Sequence, residues 1–158
     1  MPSSTRERIK MTDAEIAEFL AAPHKMQLAT INPDGTPHLV TMYYAVFDGL
    51  LGFWTYRTSQ KALNLERDPR ATCLVEAGEG YDQLHGVQLM GTVERIEDTD
   101  RIRSIGAEVY GRYIADFTPE MQEYLEPQAR KRWAYLLHPQ RVASWDHRKL
   151  AAATTAGT

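Results

Sequence analysis

Several things that would narrow the chain's class at once are scarce or missing. Its 158 residues include one cysteine, Cys73, which excludes an internal disulfide framework and a cysteine-cluster metal site. No apolar run approaches the roughly 18 residues of a membrane span. The opening MPSSTRERIK is followed by no apolar stretch of the kind a secretory leader carries. An excess of positive charge is also absent. Lys and Arg total 18 against 21 Asp and Glu, leaving −3, the wrong sense for a general nucleic-acid binder. The five histidines, His24, His38, His85, His138 and His147, offer no HxH or HxxxH pair, so no shared metal site is expected. What remains is ordinary: 43% hydrophobic, 25% charged and 9% aromatic. Such a chain is long enough to bury a core unaided. The expectation is a soluble, cytoplasmic protein without nucleic-acid or membrane partners. Residues 1–150 form its single domain, with a flexible start over 1–10 and a disordered tail over 151–158.

Periodicity divides the chain into short elements. Thr12 to Glu15 reads as a capping box, opening a helix with Ile16, Phe19 and Leu20 on one face and ending before Pro23. Alternation from Lys25 to Ile31 predicts a strand, and Asn32-Pro33-Asp34-Gly35 predicts a tight turn. A second strand is expected from Thr36 to Phe47, a hairpin at Asp48-Gly49, and a third strand from Leu50 to Arg57. Ser59–Arg67 reads as a short helix stopped by Asp68-Pro69. Strands follow at Ala71–Ala77 and Gln83–Ile96, joined through Gly78-Glu79-Gly80. Asp98 to about Ala115 is an amphipathic helix, and Thr118-Pro119-Glu120 begins another. Arg132–Leu137 and Arg141–Trp145 read as two strands flanking His138-Pro139. No βαβ alternation is present, so the pattern predicts a mainly β, antiparallel barrel with helices outside it.

The most informative stretch is Trp54-Thr55-Tyr56-Arg57-Thr58-Ser59-Gln60-Lys61-Ala62-Leu63-Asn64. A strand ends, two hydroxyls occupy the turn, and a helix begins. The first amides of a helix lack intrahelical partners and sit at the positive end of its dipole. Arg57 and Lys61 add charge, Lys61 and Asn64 share a helix face, and Thr55 and Arg57 share a strand face. These groups suit one phosphate-sized anion; the plainer alternative is an N-cap between two solvated cations. The strand His38–Tyr44 is apolar on both faces. It fits a planar ligand lying along its amides, or simply a core strand. Cys73, mid-strand among apolar residues, reads as an inert buried thiol.

The succession LATINPDGTPHLVTMYY, SQKALNLERDPRATCLV and QLMGTVERIED resembles the pyridoxamine 5'-phosphate oxidase-like split-barrel superfamily. Within it, the chain is most similar to the flavin/deazaflavin oxidoreductases that use coenzyme F-420. The resemblance covers about Met11 to Trp145. It implies a homodimer of split β-barrels with two cofactor sites at the interface. It also implies that Arg57, Thr58, Ser59, Gln60, Lys61 and Asn64 hold the cofactor phosphate. Thr41, Met42 and Tyr43 would lie along the ring, Thr55 would face the same site, and Tyr81 and Trp145 would cover the ring from the partner chain. The closing Ala143-Ser144-Trp145-Asp146-His147-Arg148 does not match the Arg-x-His-like substrate motif of true pyridoxamine-phosphate oxidases, so pyridoxal-phosphate synthesis is not expected.

The resemblance implies an F-420-dependent reductase acting on a small unsaturated substrate. Because a deazaflavin carries its own hydride chemistry, no catalytic side chain is required; Tyr43, Tyr44 or water would supply a proton. The alternatives are an FMN-dependent oxidoreductase of the same fold, or a non-catalytic flavin, deazaflavin or haem binder.

Overall fold

The computed structural model describes residues 1, 3–114 and 117–155. Seven strands form one antiparallel sheet: β1 (Met26–Ile31), β2 (Pro37–Met42), β3 (Ala45–Phe47), β4 (Leu50–Tyr56), β5 (Arg70–Ala77), β6 (His85–Ile96) and β7 (Arg132–Asp146). Their spatial order is β2-β1-β5-β6-β7-β4-β3. The two edges, β2 and β3, are therefore adjacent in sequence, and only Tyr43-Tyr44 separates them. The single strand expected over Thr36–Phe47 is broken there because its halves pair with opposite ends of the sheet: β2 with β1, and β3 with β4. The sheet curls into a split barrel whose opening lies at this crossing.

Around the sheet lie α1 (Thr5–Arg8), α2 (Asp13–Ala21), α3 (Gln60–Arg67), α4 (Thr99–Tyr113), α5 (Pro119–Arg130) and α6 (Arg148–Thr155). The Thr12–Glu15 capping box is present. Leu20 and Phe19 of α2 enter a core with Met26, Leu28, Leu51, Phe53, Val75, Val87 and Leu137. A second cluster sets Ile102 and Ile105 of α4 and Leu125 of α5 against Trp54 and Leu136. At Gly106 a Cβ would meet the Trp54 ring at 2.4 Å, so this glycine lets α4 approach β4 closely.

Three expectations are corrected. The first ten residues do not hang free. Ser4 and Glu7 form a second capping box on α1, and Asp146 N–H donates to Ile9 C=O at 2.7 Å. Residues 151–155 belong to helix α6 rather than to a disordered tail; residues 156–158 lie outside the described residues, as does the expected helix end at Ala115. The final two strands are one. β7 runs through His138-Pro139 because a register shift opposite Met90 and Gly91 absorbs the extra residue, Gln140. Gly91 is required there, since a Cβ would lie 2.0 Å from the His138 carbonyl oxygen.

Candidate functional site

The chain leaves β4 in a turn closed by Ser59 N–H donating to Tyr56 C=O at 3.1 Å. Ser59 then caps α3, its hydroxyl accepting from Ala62 N–H at 3.2 Å. The buried Thr55 hydroxyl lies 3.2 Å from the same oxygen. Among the described residues, the Gln60 and Lys61 amides donate to no acceptor. The Thr58 side chain is exposed and, among the described residues, hydrogen-bonds to nothing. Lys61 is half-buried and has no carboxylate within salt-bridge distance among those residues; burial alone lowers the pKa of its ammonium. An unpaired, partly desolvated cation beside two free helix-start amides is a group of donors suited to an anion.

The rest of the predicted cradle is used otherwise. Asn64 is fully buried and donates to Thr30 Oγ1 at 3.0 Å and Asn32 Oδ1 at 3.1 Å. It accepts from Gln60 Nε2 at 2.8 Å. It thus ties α3 to β1 and the turn after it, and its amide is not presented to a ligand. The Gln60 side chain is likewise committed to Asn64. Arg57 turns aside: its Nε donates to Arg132 C=O at 3.1 Å, and its guanidinium lies 3.8 Å from the Trp133 ring centroid. It borders a polar pocket of about 440 Å³ with Asp98, Asp100, Glu126 and Arg130 that no α3 residue lines. Of the predicted groups, Thr55, Thr58, Ser59 and Lys61 remain at the helix start, and no other described residue claims the lysine.

Thr41, Met42 and Tyr43 do come together. They line a groove of about 380 Å³ between the end of β2 and α4, with Trp54, Tyr110 and Tyr113 opposite. The Tyr43 and Tyr113 rings are 4.3 Å apart. Because β2 is an edge, the side of its backbone away from β1 is unpaired by the sheet. The reading of the sequence missed Tyr110 and Tyr113, although their three-residue spacing on an amphipathic helix was a usable signal. Tyr44 is a different matter. It is wholly buried, its hydroxyl donates to Leu20 C=O at 2.9 Å, and burial pushes its pKa up to about 12. That sets Tyr44 apart from the groove as a proton source, leaving the exposed Tyr43 or water of the three expected.

Tyr81 and Trp145 lie elsewhere in the chain's own fold. Tyr81 is exposed, with its ring 4.6 Å from His147. Trp145 crosses Gly86, where a Cβ would sit 2.7 Å from the indole. The described residues contain no cluster of His, Cys, Asp or Glu able to hold a metal. Cys73 is buried and its thiol is pushed up to about 12, as befits an inert core thiol. No described helix is long and apolar enough to cross a membrane.

Comparison with known proteins accords with this fold. A pyridoxine/pyridoxamine 5'-phosphate oxidase from Thermobifida fusca is 33% identical over 113 residues, covering 70% of this chain and 49% of that protein. The chain thus spans about half the length of the curated relative it matches. A conserved hypothetical protein, Rv2991 from Mycobacterium tuberculosis, has a solved structure that is 42% identical, covers 94% of this chain and 93% of that one, and superposes with a TM-score of 0.87. More distant structures share the fold alone. An F-420 reductase is 21% identical over 80% of this chain and 94% of its own (TM-score 0.62). A haem-binding protein from Mycobacterium smegmatis is 21% identical over 91% and 62% (TM-score 0.62). The family model for pyridoxamine 5'-phosphate oxidase matches residues 12–146, and the chain, with its curled antiparallel sheet and its helix-capped strand end, belongs to that family.

Proposed function

We propose that this chain is an oxidoreductase that binds reduced coenzyme F-420 and reduces a small unsaturated substrate. The observation that carries the reading is Lys61, a half-buried ammonium at the start of α3 with no counterion among the described residues. In this reading Lys61, the Gln60 and Lys61 amides and the Thr58 hydroxyl bind the cofactor phosphate. Ser59 and Thr55 shape the turn that presents them. The free edge of β2 at Thr41–Tyr43 orients the ring, and Trp54, Tyr110 and Tyr113 exclude water from its far side. The bound deazaflavin supplies the hydride chemistry itself. Tyr43, exposed beside the groove, holds the proton for the product.

A second copy of the chain completes the site. The outward face of the sheet carries Ala29, Ile31 and Met90 beside Leu39, which is 65% exposed. An isologous pairing of two such faces removes this apolar surface from water and brings Trp145 and Tyr81 of one protomer towards the cofactor of the other.

The reading is tested by adding F-420 and, separately, FMN to the purified protein, then assaying reduced F-420 with a panel of electron-poor alkenes. Quenched F-420 fluorescence and alkene-dependent consumption of the reduced form are expected. A protein purified yellow with FMN would replace the deazaflavin by a flavin. Binding without turnover of any alkene would make the chain a carrier. Binding of neither cofactor would end the proposal.

A further inference from the structure

The groove at the end of β2 is anchored by one hydroxyl that the proposed function leaves unused. Tyr113 is the last residue of α4. Its ring lines the groove, but its oxygen meets main chain. The phenolic proton is shared between His24 C=O and, at 3.1 Å, Tyr44 C=O, and the same oxygen accepts from Tyr44 N–H at 3.4 Å. The backbone N–H and C=O of Tyr44 have no other partner among the described residues. β2 stops pairing with β1 at Met42, and β3 starts pairing with β4 at Ala45, so the sheet reaches neither group. Tyr44 is wholly buried, so water does not stand in for a partner. The crossing between the two sheet edges therefore takes its hydrogen bonds from one side chain of α4.

That side chain is itself held from behind. The neighbouring Arg112 donates to the carbonyls of Leu20, Ala21 and Ala22. Its guanidinium lies 4.8 Å from the Tyr44 ring centroid and 5.8 Å from that of Tyr113. Tyr44 Oη donates to Leu20 C=O at 2.9 Å. The last turn of α4, the end of α2 and the crossing thus form one fixed unit. Tyr43 is the part of the crossing that reaches out of it. Its side chain is half exposed on the groove, with its ring 4.3 Å from that of Tyr113. The placement of Tyr43 follows from the Tyr44 peptide beside it and the Tyr113 face against it.

We propose that Tyr113 is a positioning residue for the reduction: its hydroxyl fixes the β2–β3 crossing and, through it, the angle at which Tyr43 offers its proton. The inference rests on the reading of Tyr43 as the proton source, in which the phenol gives its proton to the carbanionic carbon left by hydride addition and recovers one from water. A phenol suits the position because one atom both donates and accepts. Phenylalanine keeps the ring and does neither.

Tyr113→Phe is the test. Amide hydrogen exchange of the cofactor-free chain, resolved by NMR, reads the anchor directly. Exchange at Tyr44 N–H should accelerate at least about tenfold more than at Val75 in the middle of β5, which reports global opening. Turnover reads the role, with reduced F-420 and an enone such as cyclohexenone as the probe. Tyr113→Phe should lower kcat at least about fivefold while KM for F-420 changes less than about twofold, since Lys61 and the helix start still hold the phosphate. Tyr43→Phe should lower kcat at least as far. The double variant should fall no further than Tyr43→Phe alone, because two residues acting through one proton do not add. Val75→Ala, which loosens the core away from the groove, should leave kcat unchanged, so that lost stability does not imitate the result. Equal acceleration at Tyr44 and Val75, an unchanged kcat in Tyr113→Phe, or losses that multiply in the double variant overturns the proposal. Failure of the cofactor reading looks different: the wild type itself neither binds F-420 nor turns over. Tyr113 is then an anchor of the fold alone, and its role in the reaction falls with that reading.

Discussion

Replacing Asn64 by alanine separates a strut from a ligand. The side chain donates to Thr30 Oγ1 and Asn32 Oδ1 and accepts from Gln60 Nε2. Gln60 is exposed, so its amide recovers water and little is lost there. Thr30 is 2% exposed and Asn64 is completely buried, so of the two inward bonds the one to Thr30 has no replacement, while the half-buried Asn32 recovers water only in part. Each contributes about 1 kcal/mol net, and stranding the buried Thr30 hydroxyl adds about 1 kcal/mol more. The expected destabilisation is therefore about 3 kcal/mol. Urea unfolding followed by tryptophan fluorescence should show a lower midpoint with an unchanged slope. Asn64→Asp should be worse, since a buried carboxylate would face Asn32 Oδ1 with no donor between them. A loss below about 1 kcal/mol for the alanine variant would refute the strut, and would return Asn64 to the ligand role that its spacing from Lys61 suggests.

Two other outcomes follow from named contacts. Arg112 donates to the carbonyls of Leu20, Ala21 and Ala22 at 3.2, 3.2 and 2.8 Å, closing the end of α2; Arg112→Ala should cost about 2–3 kcal/mol in urea unfolding, and lysine should recover less than half, because an ammonium cannot span three acceptors as a planar fork does. Cys73 should resist a disulfide reagent such as dithionitrobenzoate in the native state at neutral pH, labelling only at the rate of unfolding, because burial raises its pKa to about 12; prompt labelling would contradict its placement in the core.

The fold was largely legible in the sequence because its signals are local. The Thr12 capping box, the Asn32–Gly35 turn, the Asp48-Gly49 hairpin and the Ser59 cap each act within a few residues, and each stands where it was expected. What was not legible depends on partners remote in the chain. Tyr43-Tyr44 reads as mid-strand, because only the pairing of β2 with β1 and of β3 with β4 makes it the crossing between two sheet edges. His138-Pro139 reads as a strand break, because the bulge that carries β7 through it sits opposite Gly91. The candidate site divides in the same way. The helix start at Ser59 and Lys61 follows from local pattern. The diversion of Arg57 onto Trp133 and of Asn64 onto Thr30 does not, since those acceptors lie 76 and 34 residues away.

The account rests most directly on Lys61, and the measurement that tests it is the affinity of Lys61→Gln for F-420 and FMN beside that of the wild type. The ammonium makes no bond to the rest of the described chain, so the variant should keep its thermal midpoint while binding both cofactors at least about tenfold more weakly, roughly 1.4 kcal/mol. Burial lowers the lysine pKa, so wild-type affinity should decline on the alkaline side at a lower pH than an ordinary lysine would give, and the variant should show no such decline. Unchanged affinity in Lys61→Gln, with the same pH profile as the wild type, would contradict the assignment of the helix start to the cofactor phosphate.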